Sequence, residues 1–153
     1  MSADEPADVA EFTVQVKRPI EVVYAFLANM ENFGMWFPAV LSIESDNDLA
    51  HGVTGKQYLE DVRVPLKGTQ RIPLVVVEAV APTRFATEGD FPPLLPRMSI
   101  ELHSQNSGQT EIEWRMQSRN SSRLFRAVLL PVVRVVMRRR AAQASQALIE
   151  CLA

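Results

Sequence analysis

The stretch Gln57–Val64, QYLEDVRV, puts a carboxylate where strand alternation asks for an apolar side chain. Tyr58, Glu60, Val62 and Val64 share one phase of a period-two pattern, so Glu60 falls on the side that a half-buried strand turns inward. A carboxyl buried without a cation keeps its proton to higher pH, and there it can exchange protons or anchor a polar group of a ligand. A bulge or a one-residue slip would turn it to water instead. Glu78, also among apolar neighbours, carries the same alternative. With Tyr58 and Tyr24 as the other groups able to exchange protons in apolar surroundings, Glu60, Tyr58 and Tyr24 are the catalytic candidates.

The remaining chemistry-bearing residues offer less. His103 lies in the polar phase of its strand beside Glu101, and His51 lies in the turn AHGVTG, so both read as surface side chains. Two histidines and the single Cys151 stand too far apart to supply metal-ligand spacing, so no metal site is expected. GVTGKQ lacks the first glycine of a phosphate loop and has Gln57 where Ser or Thr would meet magnesium, which excludes that mode of nucleotide binding. No nucleophile stands with a positioned base. No cofactor is expected.

The elements that hold these residues follow from periodicity. EFTVQVK at 11–17 alternates as a strand, and RPIEVVYAFLAN follows as a helix with Pro19 at its start. NMENFGMWFPAV continues as a second short helix that Pro38 ends. Strand-like runs follow at 39–45, 56–64, 69–80, 83–88, 97–104 and 109–118, broken by DND, HGVTG, LKG, AP, GDFPPLLP and NSG. Short breaks make neighbouring strands antiparallel. The last element, 121–152, reads as one helix of roughly 48 Å, capped by Ser121 or Ser122 and bent at Pro131. An antiparallel sheet with one apolar face must bury it against that helix. The apolar phases of the strands give Tyr58, Glu60 and Val62; Phe85 and Thr87; Met98, Ile100 and Leu102; Ile112, Trp114 and Met116. The helix offers Phe125, Leu129, Val133 and Val136 at spacings of four, four and three. Together they line either a packed core or an apolar pocket, a choice that periodicity leaves open.

RPIEVVYAFLANMENFGMWFPAV agrees in residue type and order over more than twenty positions with a pattern of the START-like (SRPBCC, helix-grip) superfamily, which includes polyketide cyclase/dehydrase-type proteins. VVVEAVAPTRFATEG and the terminal ALIECL resemble two further patterns of that superfamily, in the expected order. The resemblance implies an α+β helix-grip fold, in which a curved antiparallel sheet of about seven strands wraps a long C-terminal helix, with two short helices after the first strand. It implies that Phe33 and Trp36 close one end of the grip. It also favours a cavity for a small hydrophobic ligand such as a lipid, an isoprenoid or an aromatic polyketide, and as an alternative a cofactor-independent cyclase or dehydratase.

With 47% hydrophobic and 22% charged residues over 153 positions, the chain has the composition of a folded protein. That length suits one domain with room for a cavity. We expect residues 1–9 as a flexible acidic N-terminus and 10–153 as one domain. The opening MSADEPADVAEF shows neither the basic nor the apolar region of a secretory signal, and one cysteine forms no internal disulfide, so a reducing, cytoplasmic setting is expected. Charge is uneven: from Trp114 onward eight arginines face Glu150 alone, a balance of +7, leaving −9 on the first 113 residues against −2 overall. A solvated helix face is one use of those arginines. Docking on a membrane surface or an acidic carrier protein is another, and the apolar AVLLPVVRVVM could serve a homodimer. No nucleic-acid partner is expected. The stiff Phe91–Pro96 loop reads as a cavity portal or a partner-facing surface, or as a cover over the helix near Pro131.

Overall fold

The computed structural model describes residues 5–106 and 108–153. Residues 1–4 of the expected tail and position 107 of the NSG break lie outside them. In chain order the elements are β1 (Ala7–Val16), α1 (Ile20–Ala28), a 3₁₀ helix (Met30–Met35), β2 (Val40–Ser45), β3 (Gln57–Val64), β4 (Gly68–Val80), β5 (Arg84–Gly89), β6 (Pro96–Asn106) and β7 (Gln109–Ser118). A π-helical turn (Phe125–Leu129) then leads into α2 (Leu130–Cys151). All seven strands join in one antiparallel sheet ordered β1-β7-β6-β5-β4-β3-β2. The helix-grip architecture read from the sequence is the observed one.

Strands β2 to β7 begin and end within two residues of their alternating patterns. β1 is the correction. It starts at Ala7, paired with Ser118, and Val9 is buried, so part of the expected N-terminal tail is strand. A bulge between Asp8 and Ala10 breaks the alternation there, which hid the first strand residues from a period-two reading. Further bulges fall between Val40 and Ser42, Val76 and Glu78, and Ser104 and Asn106. Each adds local twist, and together they help the sheet curl.

The terminal helix begins as expected, with Ser122 Oγ accepting from the Phe125 N–H at 3.4 Å. It is not one uniform α-helix. Its wide turn closes with the Leu130 N–H on the Phe125 carbonyl, immediately before Pro131. A proline has no N–H for the next bond and crowds the carbonyl four residues back, so the π turn falls where the regular ladder is hardest to keep. Further along, Ala141, Ala144 and Leu148 face inward and are buried, and α2 packs against β1. Arg18 fixes this end, donating to the carbonyls of Leu152 (3.3 Å) and Ala153 (2.7 Å). Small side chains bring the helix close to the sheet here.

The aromatic run after α1 does what its composition demands. Phe33 meets Trp36 edge-on and stacks on Phe37, both at 4.9 Å between ring centres. Phe37 reaches Trp114 at 5.4 Å, and Trp114 stacks on Phe12 at 5.1 Å. Asn29 Oδ1 accepts from the Glu31 N–H at 3.0 Å and starts the 3₁₀ helix that carries the run. Trp36, buried by Phe12, Phe33 and Phe37, plugs one end of the grip. Trp36→Ala is expected to lower unfolding stability by about 3–5 kcal/mol in urea titration, while a loss below about 1 kcal/mol would mean that the ring is not part of the core.

Candidate functional site

The inward residues divide by height along the strands. Towards α1 the interior is filled: Tyr58, Phe85, Ile100, Leu102, Ile112 and Trp114 are all buried there. These six were expected to line a pocket and instead belong to the packed core. Towards the other end the same strands border a cavity of about 350 Å³. Its walls include Glu60 and Val62 of β3, Thr87 of β5, Met98 of β6 and Met116 of β7, with Phe125, Leu129 and Val133 from the terminal helix. The structure brings these eight expected residues around one space.

The cavity opens between three segments. One is the hairpin 64–68, whose Leu66 is fully exposed; the second is the loop with Phe91, Pro93, Leu94 and Pro96; the third is the helix face with Leu129, Val132 and Val136. The loop is tied to the end of β7, where Ser118 Oγ donates to the Leu94 carbonyl (2.5 Å) and Asn120 Nδ2 to that of Pro93 (2.7 Å). The loop borders the cavity, opposite the helix residues Leu129, Val132 and Val133 that flank Pro131. Gly89 lets it close against the sheet: a Cβ there would stand 3.1 Å from Pro96 Cγ and 3.2 Å from Leu74 Cδ2.

Polar groups in this space are few. Glu60 is 8% exposed, and no hydrogen bond or ion pair reaches its carboxyl among the described residues. Burial raises its pKa to about 7, against a smaller lowering by the charge of Arg140. Arg140 also lines the cavity and donates to the Arg63 carbonyl at 2.9 Å. The sequence reading missed it, although Arg140 extends the stripe 125, 129, 133, 136 by four more residues. Thr87 adds a buried hydroxyl. The arrangement can enclose an apolar body and meet one polar group with a carboxyl that is poised to change charge near neutral pH.

Comparisons with known proteins bear on the family and the fold. The family described as "Polyketide cyclase / dehydrase and lipid transport" matches residues 8–152. The chain belongs to that family. Its fold is similar to a START superfamily protein from Mycobacterium smegmatis, with a TM-score of 0.73 at 14% identity over 94% of this chain and 95% of that one. A protein from Thermus thermophilus superposes with a TM-score of 0.71 at 15% identity, over 94% and 95% of the two chains. The di-domain ARO/CYC StfQ from the steffimycin biosynthetic pathway gives 0.67 at 12% identity, over 95% of this chain and 51% of StfQ. No curated protein sequence matches.

For this polyketide cyclase/dehydrase and lipid-transport family member, the other candidates sit elsewhere. Tyr24 donates to the Arg84 carbonyl at 3.2 Å, outside the cavity. The Tyr58 hydroxyl lies 2.6 Å from His51 Nδ1, and His51 Nε2 lies 3.1 Å from Glu31 Oε1. His51 is exposed, as its turn predicts, and it also fastens the β2–β3 loop to the 3₁₀ helix, because chain closure brings Glu31 and Tyr58 to it. Burial pushes both phenols above their ordinary range, which leaves them poor bases near neutral pH. His103 is exposed beside Glu113 (3.3 Å) and Glu101 (3.9 Å), as its phase predicts. Glu78 turns outward past the Val76 bulge and pairs with Arg84 at 2.9 Å.

Glu60 couples stability to pH. Its folded pKa, about 7, lies above the ordinary 4.5, so the folded state holds the proton more tightly. Its contribution is fully present below pH 4.5 and is lost as pH rises through 7, up to about 3 kcal/mol. Glu60→Gln removes that dependence. Urea unfolding from pH 4.5 to 8 should show the variant gaining on the native protein by that amount, and a constant difference would mean that the carboxyl is solvated.

Proposed function

We propose that this chain binds and carries, or senses, one small hydrophobic or amphipathic molecule in the cavity between the sheet and the first half of its terminal helix. The observation that carries the reading is an apolar space of about 350 Å³ holding one buried carboxyl that no hydrogen bond or ion pair reaches among the described residues. That volume is at the lower end of small-molecule pockets, which favours a ring system or a single medium chain over a two-chain lipid. Each buried methylene contributes about 0.8 kcal/mol. Ten of them contribute about 8 kcal/mol, which outweighs an association cost of about 4 kcal/mol and leaves roughly millimolar affinity, so tighter binding draws on the polar contacts. Met98 and Met116 adapt to irregular apolar shapes, and Glu60 with Arg140 selects for a hydroxyl, carbonyl or carboxyl at one end of the ligand.

Native mass spectrometry of the purified protein, with displacement of a fluorescent fatty acid, tests this. Retained or exchangeable apolar ligand is expected, and Val133→Trp, which fills the space from the helix side, should abolish binding while the protein stays folded. Binding that survives Val133→Trp unchanged, or no binding by the native chain, overturns the reading.

The Glu60 carboxyl also favours a second reading, a cyclase or dehydratase acting on a poly-β-ketone. The similarity to StfQ and the family's description support that substrate class. A carboxyl with a pKa of about 7 in a largely dry site suits proton transfer at neutral pH. Tyr24 and Tyr58 have no role in it, since neither borders the cavity. With a poly-β-ketone thioester, Glu60→Gln should reduce turnover by at least 100-fold, within the usual worth of general acid–base catalysis, and leave binding within a few-fold. Equal turnover by both proteins would dismiss the enzymatic reading and leave the carrier reading standing.

A further inference from the structure

The terminal helix has two apolar faces, and the cavity accounts for only one. From Val132 (62% exposed), which also borders the cavity mouth, the apolar surface continues away from the sheet through Leu124 (74%), Val128 (57%) and Val135 (60%), a stripe at spacings of four, four and three residues with Pro131 exposed within it. A helix that is apolar on both sides is ordinarily covered on both. Leu66 extends the stripe across the cavity mouth. It is fully exposed at the tip of the β3–β4 hairpin and held at a backbone φ of 67°, a conformation that disfavours leucine and that no packing there repays.

Charge says what kind of surface covers this face. On the outer side of the sheet the arginines have carboxylate partners: Arg71 with Asp61, Arg84 with Glu78, Arg97 with Glu88, Arg115 with Glu11. Around the stripe they do not. Arg123 at one end of the stripe, Arg138 and Arg139 at the other, and Lys67 on the hairpin have no ion pair among the described residues. Glu150 is the only acidic residue of the whole terminal helix.

We propose that this face, the stripe together with Leu66 and its four cations, docks on an anionic lipid bilayer. A bilayer answers both halves of the pattern, since its acyl region takes the apolar side chains and its headgroups take the cations. A second copy answers only one half. A two-fold contact would lay the stripe on itself and bring cations against cations without a carboxylate to separate them. The docked face surrounds the cavity mouth, so bound ligand would pass directly between membrane and interior; that last clause rests on the carrier reading above, whereas docking rests on the surface alone.

The experiment is flotation of the native chain with phosphatidylcholine vesicles, with and without phosphatidylglycerol, at low and high salt. Binding is expected only with the anionic lipid and should weaken as salt rises. Each basic residue near such a surface is worth about 1 kcal/mol, so Arg138→Gln with Arg139→Gln should lower partitioning about thirtyfold. Val128→Ser with Val135→Ser should lower it at least several-fold at constant charge. None of these four residues lines the cavity, so displacement of the fluorescent fatty acid in solution should be unchanged in both variants. Absence of flotation with anionic vesicles overturns the proposal, as does flotation that neither pair of substitutions alters. A dimer in light scattering that Val128→Ser with Val135→Ser dissolves would also overturn it, by assigning the stripe to a second copy. Flotation by a chain that binds no fatty acid would uphold the docking and defeat the carrier reading.

Discussion

A curved antiparallel sheet has more apolar surface on its concave side than one straight helix can touch, and the rest of this molecule follows from how that mismatch is resolved. At the C-terminal half of α2, Ala141 and Ala144 let the backbone approach β1, and the tie from Arg18 to the chain end holds it there. Near the other end the helix carries Phe125, Leu129, Val133 and Val136, and it enters through a π turn ahead of Pro131. Close contact at one end and large side chains at the other leave a wedge. The aromatic plug around Trp36 and Trp114 fills its narrow part, and the wide part is the cavity.

Glu60 takes its character from that wedge. In a filled interior its carboxyl would need a partner or would force the strand to slip, because a buried, unpaired charge costs several kcal/mol. In water it would be an ordinary carboxylate. On the wall of an apolar cavity it is desolvated without being crowded, which raises its pKa to about 7 and leaves it free to meet a ligand. Arg140, one wall away and occupied with the Arg63 carbonyl, moderates the shift without cancelling it. The same cavity explains why its lining mixes methionine with branched aliphatics: no protein layer interdigitates with these side chains, so shape tolerance matters more than fit.

The uneven charge of the chain is the outward counterpart of this interior. Strands β3 to β7 bring acidic and basic residues into cross-strand pairs on the convex face, where opposite charges at short range stabilise the sheet modestly. The terminal helix has no such neighbours on its outer side. Among the described residues its arginines make no ion pair: Arg126, Arg134 and Arg140 donate to backbone carbonyls, and Arg123, Arg138 and Arg139 stand near exposed valines and leucine, which leaves a cationic, apolar front around the cavity mouth.

Much of the fold was legible in the sequence, because alternation sets which face a strand buries and Gly, Pro, Asp and Asn mark where it reverses. Strands β2 to β7, the two short helices and the capped terminal helix all follow from those local rules, and so does the inward phase of Glu60. Bulges were not legible: one extra residue near Val77 turned Glu78 outward, and another hid the start of β1, since bulges are settled by the neighbouring strand. The cavity was legible only as a face. Period two tells Met98 from Ser99, but it cannot tell Met98, which borders empty space, from Ile100, which is packed, because both point the same way. That distinction depends on how far the opposing layer stands at each height, and only the closing of the helix onto the curved sheet sets that distance.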